Sequence, residues 1–284
     1  MKSQARKTCF MKNPAECVAE TIDGRIDLFG HEGQAQMYKE FRPVYPERLI
    51  TAVVSGVPEY SRNLYVDVAC GSGQLTALIA PAFTTSKGFD QSLEQLSHAE
   101  KPDGCTLIYQ AGSAFALPLE SNSVDLLTVA QGLHWLLPYD KFFTEVNRVL
   151  KVGGVFTTVA YGFPQLLHAD ANAHVQHFYR HTLGATLSPG QAGCWWETNR
   201  PTIDAYYADI SFPYSTTLSK YSELVVMSVD HFFNYLRTLS AYRTMLRAGV
   251  PDPLIAVEAA VRSALPSNKL KVEIPFFTVS YRKC

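Results

Sequence analysis

Tyr65-Val66-Asp67-Val68-Ala69-Cys70-Gly71-Ser72-Gly73 runs directly into Gln74-Leu75-Thr76-Ala77-Leu78-Ile79, and Gly88-Phe89-Asp90-Gln91 follows a little further on. The first stretch reads as a short apolar strand carrying one acid, then a glycine-rich turn, then the opening of a helix. Such a turn lets a ligand approach the backbone closely, because glycine has no Cβ and tolerates positive φ. The free N–H groups at the start of the following helix face whatever sits there. A second strand, residues 84–89, ends at Asp90, seventeen residues after Gly73. An acid at that place commonly grips both hydroxyls of a ribose. Together these features describe a nucleoside-binding site.

A dinucleotide site is the obvious rival, and the glycine spacing speaks against it. The dinucleotide fingerprint is G-x-G-x-x-G, whose third glycine allows close helix–strand packing. Here Gly71-Ser72-Gly73-Gln74-Leu75-Thr76 puts a β-branched threonine in the third place, and Asp67 stands four residues before Gly71. The order D-x-x-C-G-x-G resembles motif I of the class I S-adenosylmethionine-dependent methyltransferases.

More of the chain carries the same resemblance. Ser123-Val124-Asp125-Leu126-Leu127-Thr128-Val129-Ala130 looks like the fourth strand of that fold, and Gln131-Gly132-Leu133-His134-Trp135 is similar to the segment at its carboxyl end. Phe142-Phe143-Thr144-Glu145-Val146-Asn147-Arg148-Val149-Leu150-Lys151-Val152-Gly153-Gly154 resembles the helix and turn before strand five. Tyr38-Lys39-Glu40-Phe41-Arg42-Pro43-Val44-Tyr45-Pro46 and Tyr235-Leu236-Arg237-Thr238-Leu239-Ser240-Ala241-Tyr242 are similar to segments of the branch that includes trans-aconitate methyltransferases. The resemblance spans roughly residues 36–284. It implies a Rossmann-like, seven-stranded doubly wound α/β sheet with its last strand antiparallel, and S-adenosylmethionine as cofactor. The implied cofactor contacts are Tyr38, Arg42, Asp67, Ala69, Cys70, Gly71, Ser72, Gly73, Asp90, Gln91, Ser113, Ala114 and Gln131. Two departures stand out. Ser113 occupies a place where the family usually has an acid for the adenine amino group, which points to lower cofactor affinity. Leu239 replaces an expected tryptophan, which points to a substrate pocket unlike that of the best-known relatives.

Composition fits a soluble enzyme. The 284 residues are 47% hydrophobic, enough for a sizeable core. Net charge is −1 with both signs interspersed, so no electrostatic footprint for nucleic acid is expected. No apolar run approaches membrane-spanning length, and the polar start lacks the apolar core of a secretory leader. Cys9, Cys17, Cys70, Cys105, Cys194 and Cys284 form no C-x-x-C pair, so a reducing cytoplasm is the expected compartment. Cys70 reads as a small buried residue, since no basic neighbour activates its thiol.

Along the chain, residues 1–35 read as a lead or lid and residues 36–162 as the cofactor-binding core. Residues 163–255 read as a helical cap containing strand six, and residues 256–284 as the strand that completes the sheet. Strand six is expected over residues 206–218, a loop over 188–193, and a Ser222-capped helix reaching residue 248. The last strand is expected over residues 271–281.

His134 is the titratable group best placed to take a proton from a hydroxyl or an amine, because an imidazole titrates near working pH. Packing beside Trp135 is the plainer reading. His174, His177 and His181 share a helical face, but no acid or cysteine completes a set, so no metal is expected. Arg237 is the expected grip for an acceptor carboxylate. With His134, it joins Trp135, Tyr161 and Trp196 as the expected substrate contacts. The activity these readings favour is methyl transfer to a small-molecule oxygen, carboxylate or hydroxyl. The alternatives are a small-molecule N-methyltransferase and a non-catalytic S-adenosylmethionine-binding protein.

Overall fold

The computed structural model describes Met37, residues 40–183 and residues 203–284 other than Ala248. Residues 1–35, Tyr38, Trp196 and the 188–193 loop lie outside the described residues.

Strand and helix alternate through the first part. Helix α1 (Glu47–Ser55) leads into β1 (Leu64–Val68), α2 (Gln74–Ile79), β2 (Thr85–Asp90), α3 (Leu93–Ser97), β3 (Leu107–Ala111) and β4 (Val124–Ala130). A 3-10 turn at Leu133–Trp135 precedes α4 (Tyr139–Val149) and β5 (Leu150–Tyr161). The two-residue β6 (Gln165–Leu166), α5 (Ala169–His177) and a π-helical turn (Phe178–Leu183) follow. The chain then runs through α6 (Ile203–Ala208), β7 (Thr217–Ser228), α7 (Val229–Arg237), α8 (Ser240–Arg247), α9 (Leu254–Ala264) and β8 (Lys269–Arg282).

All eight strands join one sheet, with β3-β2-β1-β4-β5 parallel and β8 antiparallel to β5. Strand β7 lies along the other edge of β8, and β6 adds a short antiparallel pairing. The expected doubly wound sheet is therefore present, with β6 as an eighth strand. Alternating side chains feed two layers. Tyr65 and Leu126 pack with α1, α2, α7 and α9 on one face, whereas Val66, Val68, Leu127 and Val129 pack with α4 and α6 on the other. No helix among the described residues is long and apolar enough to cross a membrane.

Two expectations need correction. Strand six runs over Thr217–Ser228, and the stretch holding Tyr206 and Tyr207 is helix α6. Tyr207 is driven into the layer beside Phe277 (ring centroids 5.4 Å), and that burial overrides the strand preference of two adjacent tyrosines. Ser222 is a strand residue, not a cap; the period-2 pattern turns Tyr221, Val225 and Met227 onto the core. Ser228 is the cap, its hydroxyl accepting from the His231 N–H at 3.0 Å. The expected single helix also breaks after Arg237. The Thr238 hydroxyl donates to the Tyr235 carbonyl at 2.6 Å, competing locally with the helix ladder.

Candidate active site

Strands β1 and β4 are neighbours whose chains leave toward opposite edges of the sheet, so a crevice opens at their carboxyl ends. Ala69 and Gln131, the residues that leave these two strands, both adopt left-handed backbone (φ 55° and 54°). Each conformation costs roughly 1–3 kcal/mol and persists only where the surroundings dictate it. Gly132 supplies part of that constraint, since a Cβ there would lie 3.1 Å from the Ala69 Cβ.

In the glycine turn, Gly71 and Gly73 have φ of +55° and +75°. Gly73 has a further reason to lack a side chain. Tyr109 on β3 lies across Gly88 of β2, and its ring comes so close that a Cβ at Gly73 would fall 2.2 Å from Tyr109 Oη. The same hydroxyl donates to the Glu100 carbonyl at 2.9 Å. Tyr109 is thus a strap over the turn, and no motif pointed to it.

Asp67 is fully buried behind the turn, which corrects its expected place among direct cofactor contacts. Its carboxylate accepts from the Thr76 hydroxyl at 2.6 Å and the Thr128 hydroxyl at 2.7 Å, tying α2 to β4 across β1. Burial pushes the Asp67 carboxyl up to about 7, against the lowering effect of the two threonine hydroxyls. Thr76 is the residue that fills the third place of the glycine fingerprint, so its hydroxyl is used where a dinucleotide site would have a glycine.

Asp90 ends β2 at the rim. One oxygen accepts from the Gly71 N–H at 2.8 Å and the other from the Ser92 N–H at 2.9 Å. Gln91 is exposed beside it. Cys70 is buried, and desolvation raises its thiol well above the ordinary range, which makes it inert. Two buried polar atoms along this turn, Ser72 Oγ and Gln95 Oε1, have no hydrogen-bond partner among the described residues. Gln95 Oε1 would lie 3.5 Å from a Cβ at Gly71. Buried polar atoms are nearly always satisfied. An open left-handed turn, an acid at its rim and two orphaned polar atoms therefore fit a polar nucleoside ligand.

The Ser113 hydroxyl accepts from the Phe115 N–H at 3.3 Å, and Ala114 packs on the adjoining core. Their loop is clamped by Glu145 and Arg148 of α4. Glu145 accepts from the Leu117 N–H at 2.5 Å, and Arg148 donates to the carbonyls of Leu117 and Leu119 at 3.0 and 2.8 Å.

Beyond the ends of β4 and β5 lies a cavity of about 80 Å³. Gln131, His134, Trp135, Tyr161 and Phe163 line it from the sheet side, and Tyr235, Leu239 and Ser240 from α7, α8 and their junction. Arg42 reaches in from the N-terminal segment. Its guanidinium donates to Tyr161 Oη and to the Thr238 carbonyl, both at 3.2 Å, and lies 5.6 Å from the Tyr235 ring centroid. The break between α7 and α8 is what offers that carbonyl.

Arg237, the expected grip, does not line the cavity. It pairs with Glu258 of α9 at 2.7 Å and with Asn234 at 3.3 Å. Arg42 is the guanidinium at the cavity among the described residues. His134 is only 7% exposed, with Nδ1 2.9 Å from Tyr207 Oη. Desolvation lowers its pKa to about 3, so the imidazole is neutral at any working pH. Elsewhere, the π-helical turn interrupts the histidine face of α5, and the His177 and His181 rings lie 4.7 Å apart.

Comparison with known proteins agrees with this geometry. The family model described as a methyltransferase domain matches residues 66–158. A Dictyostelium discoideum protein named as a methyltransferase is 32% identical over 266 residues, 90% of this chain and 95% of that protein. The Saccharomyces cerevisiae protein CRG1, named as an S-adenosylmethionine-dependent methyltransferase, is 24% identical over 77% of this chain and 83% of its own. A solved structure named as a type II methyltransferase, from Anaeromyxobacter dehalogenans, superposes with a TM-score of 0.68 at 26% identity, covering 85% of this chain and 98% of that one. With the sheet order, the glycine turn and the rim acid on the same side of the fold, the chain belongs to the class I S-adenosylmethionine-dependent methyltransferases.

Proposed function

We propose that this methyltransferase acts on a small organic acid and methylates a carboxylate oxygen. The observation that carries the reading is Arg42, a guanidinium set among aromatic and apolar walls at the mouth of the crevice. A guanidinium matches a carboxylate with two parallel N–H groups and is the side chain best suited to orient it. When bound, S-adenosylmethionine supplies a methyl on a sulfonium whose departure needs no acid, and a carboxylate acceptor needs no base. His134 fits that economy: a buried, neutral imidazole with a pKa near 3 is a poor general base but a good neutral contact. Trp135, Tyr161 and Phe163 would keep water from the reacting oxygen and hold the acid's apolar body. On the cofactor side, Asp90 would hold the ribose, and the turn from Ala69 to Gly73 would pack on the remainder.

The test is a panel of small carboxylic acids, phenols and amines, assayed with methyl-labelled cofactor, for the wild type and Arg42→Lys. Methyl esters from the acids, with a rise in acceptor KM and little change in cofactor KM in the variant, support the reading. A variant that raises only the cofactor KM would assign Arg42 to the cofactor's own carboxylate, and the acid reading would lose its cation.

A further inference from the structure

Tyr207 lies outside every motif that marked the site, on a short helix that the sequence presents as a strand. Its ring is buried and wedged edge-on against Phe277, so its hydroxyl has a fixed address. That hydroxyl is 2.9 Å from Nδ1 of His134, whose own ring is held against Trp135 at 5.0 Å between centroids. With Nδ1 occupied, Nε2 is the nitrogen left for the cavity that His134 lines.

The direction of this hydrogen bond decides what the cavity meets. Leu133 and His134 open the 3-10 turn, so their backbone N–H groups have no carbonyl within it. Burial raises the Tyr207 phenol, against the lowering effect of the His134 and Leu133 backbone N–H groups, so the hydroxyl keeps its proton. A phenol oxygen has two lone pairs. Nδ1 lies 2.9 Å from that oxygen, and a bare imidazole nitrogen is a stronger acceptor than a phenol oxygen, so the phenol's own proton goes to Nδ1. Thr158 is the competing receiver of that proton. Its hydroxyl also faces the phenol and already donates to the Val129 carbonyl at 3.1 Å, leaving its lone pairs open.

We propose that Tyr207 donates to Nδ1 and so fixes His134 in the tautomer that carries its proton on Nε2, presenting an N–H to an oxygen of the acceptor. Tyr207 is then a positioning residue, and His134 a hydrogen-bond donor that orients the acceptor. The inference rests on the oxygen-acceptor reading for its use in catalysis, but the tautomer can be read without substrate or cofactor.

Histidine-selective ¹⁵N labelling and two-bond ¹⁵N–¹H correlation spectra, with His134 assigned by its loss in His134→Gln, report which nitrogen holds the proton. The expected wild-type spectrum shows Nε2 protonated and Nδ1 bare. Thr158→Val should leave that pattern unchanged. Tyr207→Phe should convert it to a mixture of tautomers and raise the acceptor KM about fivefold, the effect of one net hydrogen bond, with cofactor KM unchanged. A thermal melt of each variant separates this from unfolding. A wild-type His134 protonated on Nδ1, or a tautomer that switches in Thr158→Val, overturns the proposal. Methylation confined to amines in the acceptor panel would overturn the oxygen reading instead, while the spectrum still decides the tautomer.

Discussion

Asp67→Asn should remove a pH dependence of stability that the wild-type protein carries between mildly acidic and mildly basic solution. The carboxyl is fully buried, and desolvation raises it from 3.8 to about 7 in the folded state. An acid with a raised folded pKa is bound to its proton in the native state over a pH range where the unfolded chain has released it. Its contribution is therefore fully present below the unfolded pKa and is lost as pH rises through the folded one. With these two values, the group contributes about 2.5 kcal/mol more stability at pH 5 than at pH 8. Asparagine keeps the shape but does not titrate. It must donate to one of the two threonine hydroxyls that now donate to the carboxylate, a change with no pH dependence of its own. Urea denaturation of both proteins at pH 5 and pH 8 isolates the effect, because every other titrating group is shared. The wild type should lose about 2.5 kcal/mol more than the variant on going from the lower to the higher pH. Equal losses would mean that Asp67 is ionised in the folded protein throughout, and the account of a desolvated carboxyl behind the glycine turn would be wrong.

Other perturbations address the site itself. Asp90→Ala should weaken S-adenosylmethionine binding by about 1.5–3 kcal/mol, the usual range for charge-assisted hydrogen bonds, and unchanged affinity by calorimetry would remove the ribose assignment. Gly73→Ala should destabilise the fold by roughly 1–3 kcal/mol from left-handed backbone alone and displace Tyr109 as well; adding Tyr109→Ala should restore only part of the melting temperature. Arg237→Ala should cost no more than about 1 kcal/mol of stability through its pair with Glu258 and leave the acceptor KM unchanged, whereas a large KM effect would return that arginine to the cavity. His134, lowered to about 3, is already neutral between pH 6 and pH 8, so no inflection of the rate there should belong to it; a break near 6.5 that disappears in His134→Gln would restore the general-base reading.

The middle of the sheet was legible because parallel strands buried on both faces read as apolar runs, and helix α2 begins at a glycine turn. Strands β1, β4 and β5 carry such runs, and the alternation in β8 marked the last strand. The region between β6 and β8 was harder for an identifiable reason. The adjacent Tyr206 and Tyr207 favour a strand locally, and only contact with Phe277, seventy residues later, shows why they sit on a helix. Strand β7 hid in the opposite way. Its exposed face mixes Leu218, Leu224 and Val226 with Lys220 and Ser222, so its alternation is apparent only once the core-facing Tyr221, Val225 and Met227 are recognised.

At the site, the features that depend on the chain's own turn were legible, and those that depend on what packs near it were not. Ala69, Gly71, Gly73 and Asp90 fall where the motif places them, because a strand end, a left-handed turn and a rim acid are local features. Choosing between Arg42 and Arg237 needed long-range information. Arg237 sits in a family-like run, but Glu258 on α9 neutralises it from outside the cavity. Arg42 is drawn inward by the Thr238 carbonyl, which is available only because the helix breaks at that residue. A half-buried guanidinium and a desolvated imidazole therefore line one cavity. Arginine keeps its charge because its intrinsic pKa is far above neutrality, while histidine surrenders its charge because its own lies close to it. Among the described residues, the cavity is thus lined by one guanidinium and one neutral imidazole.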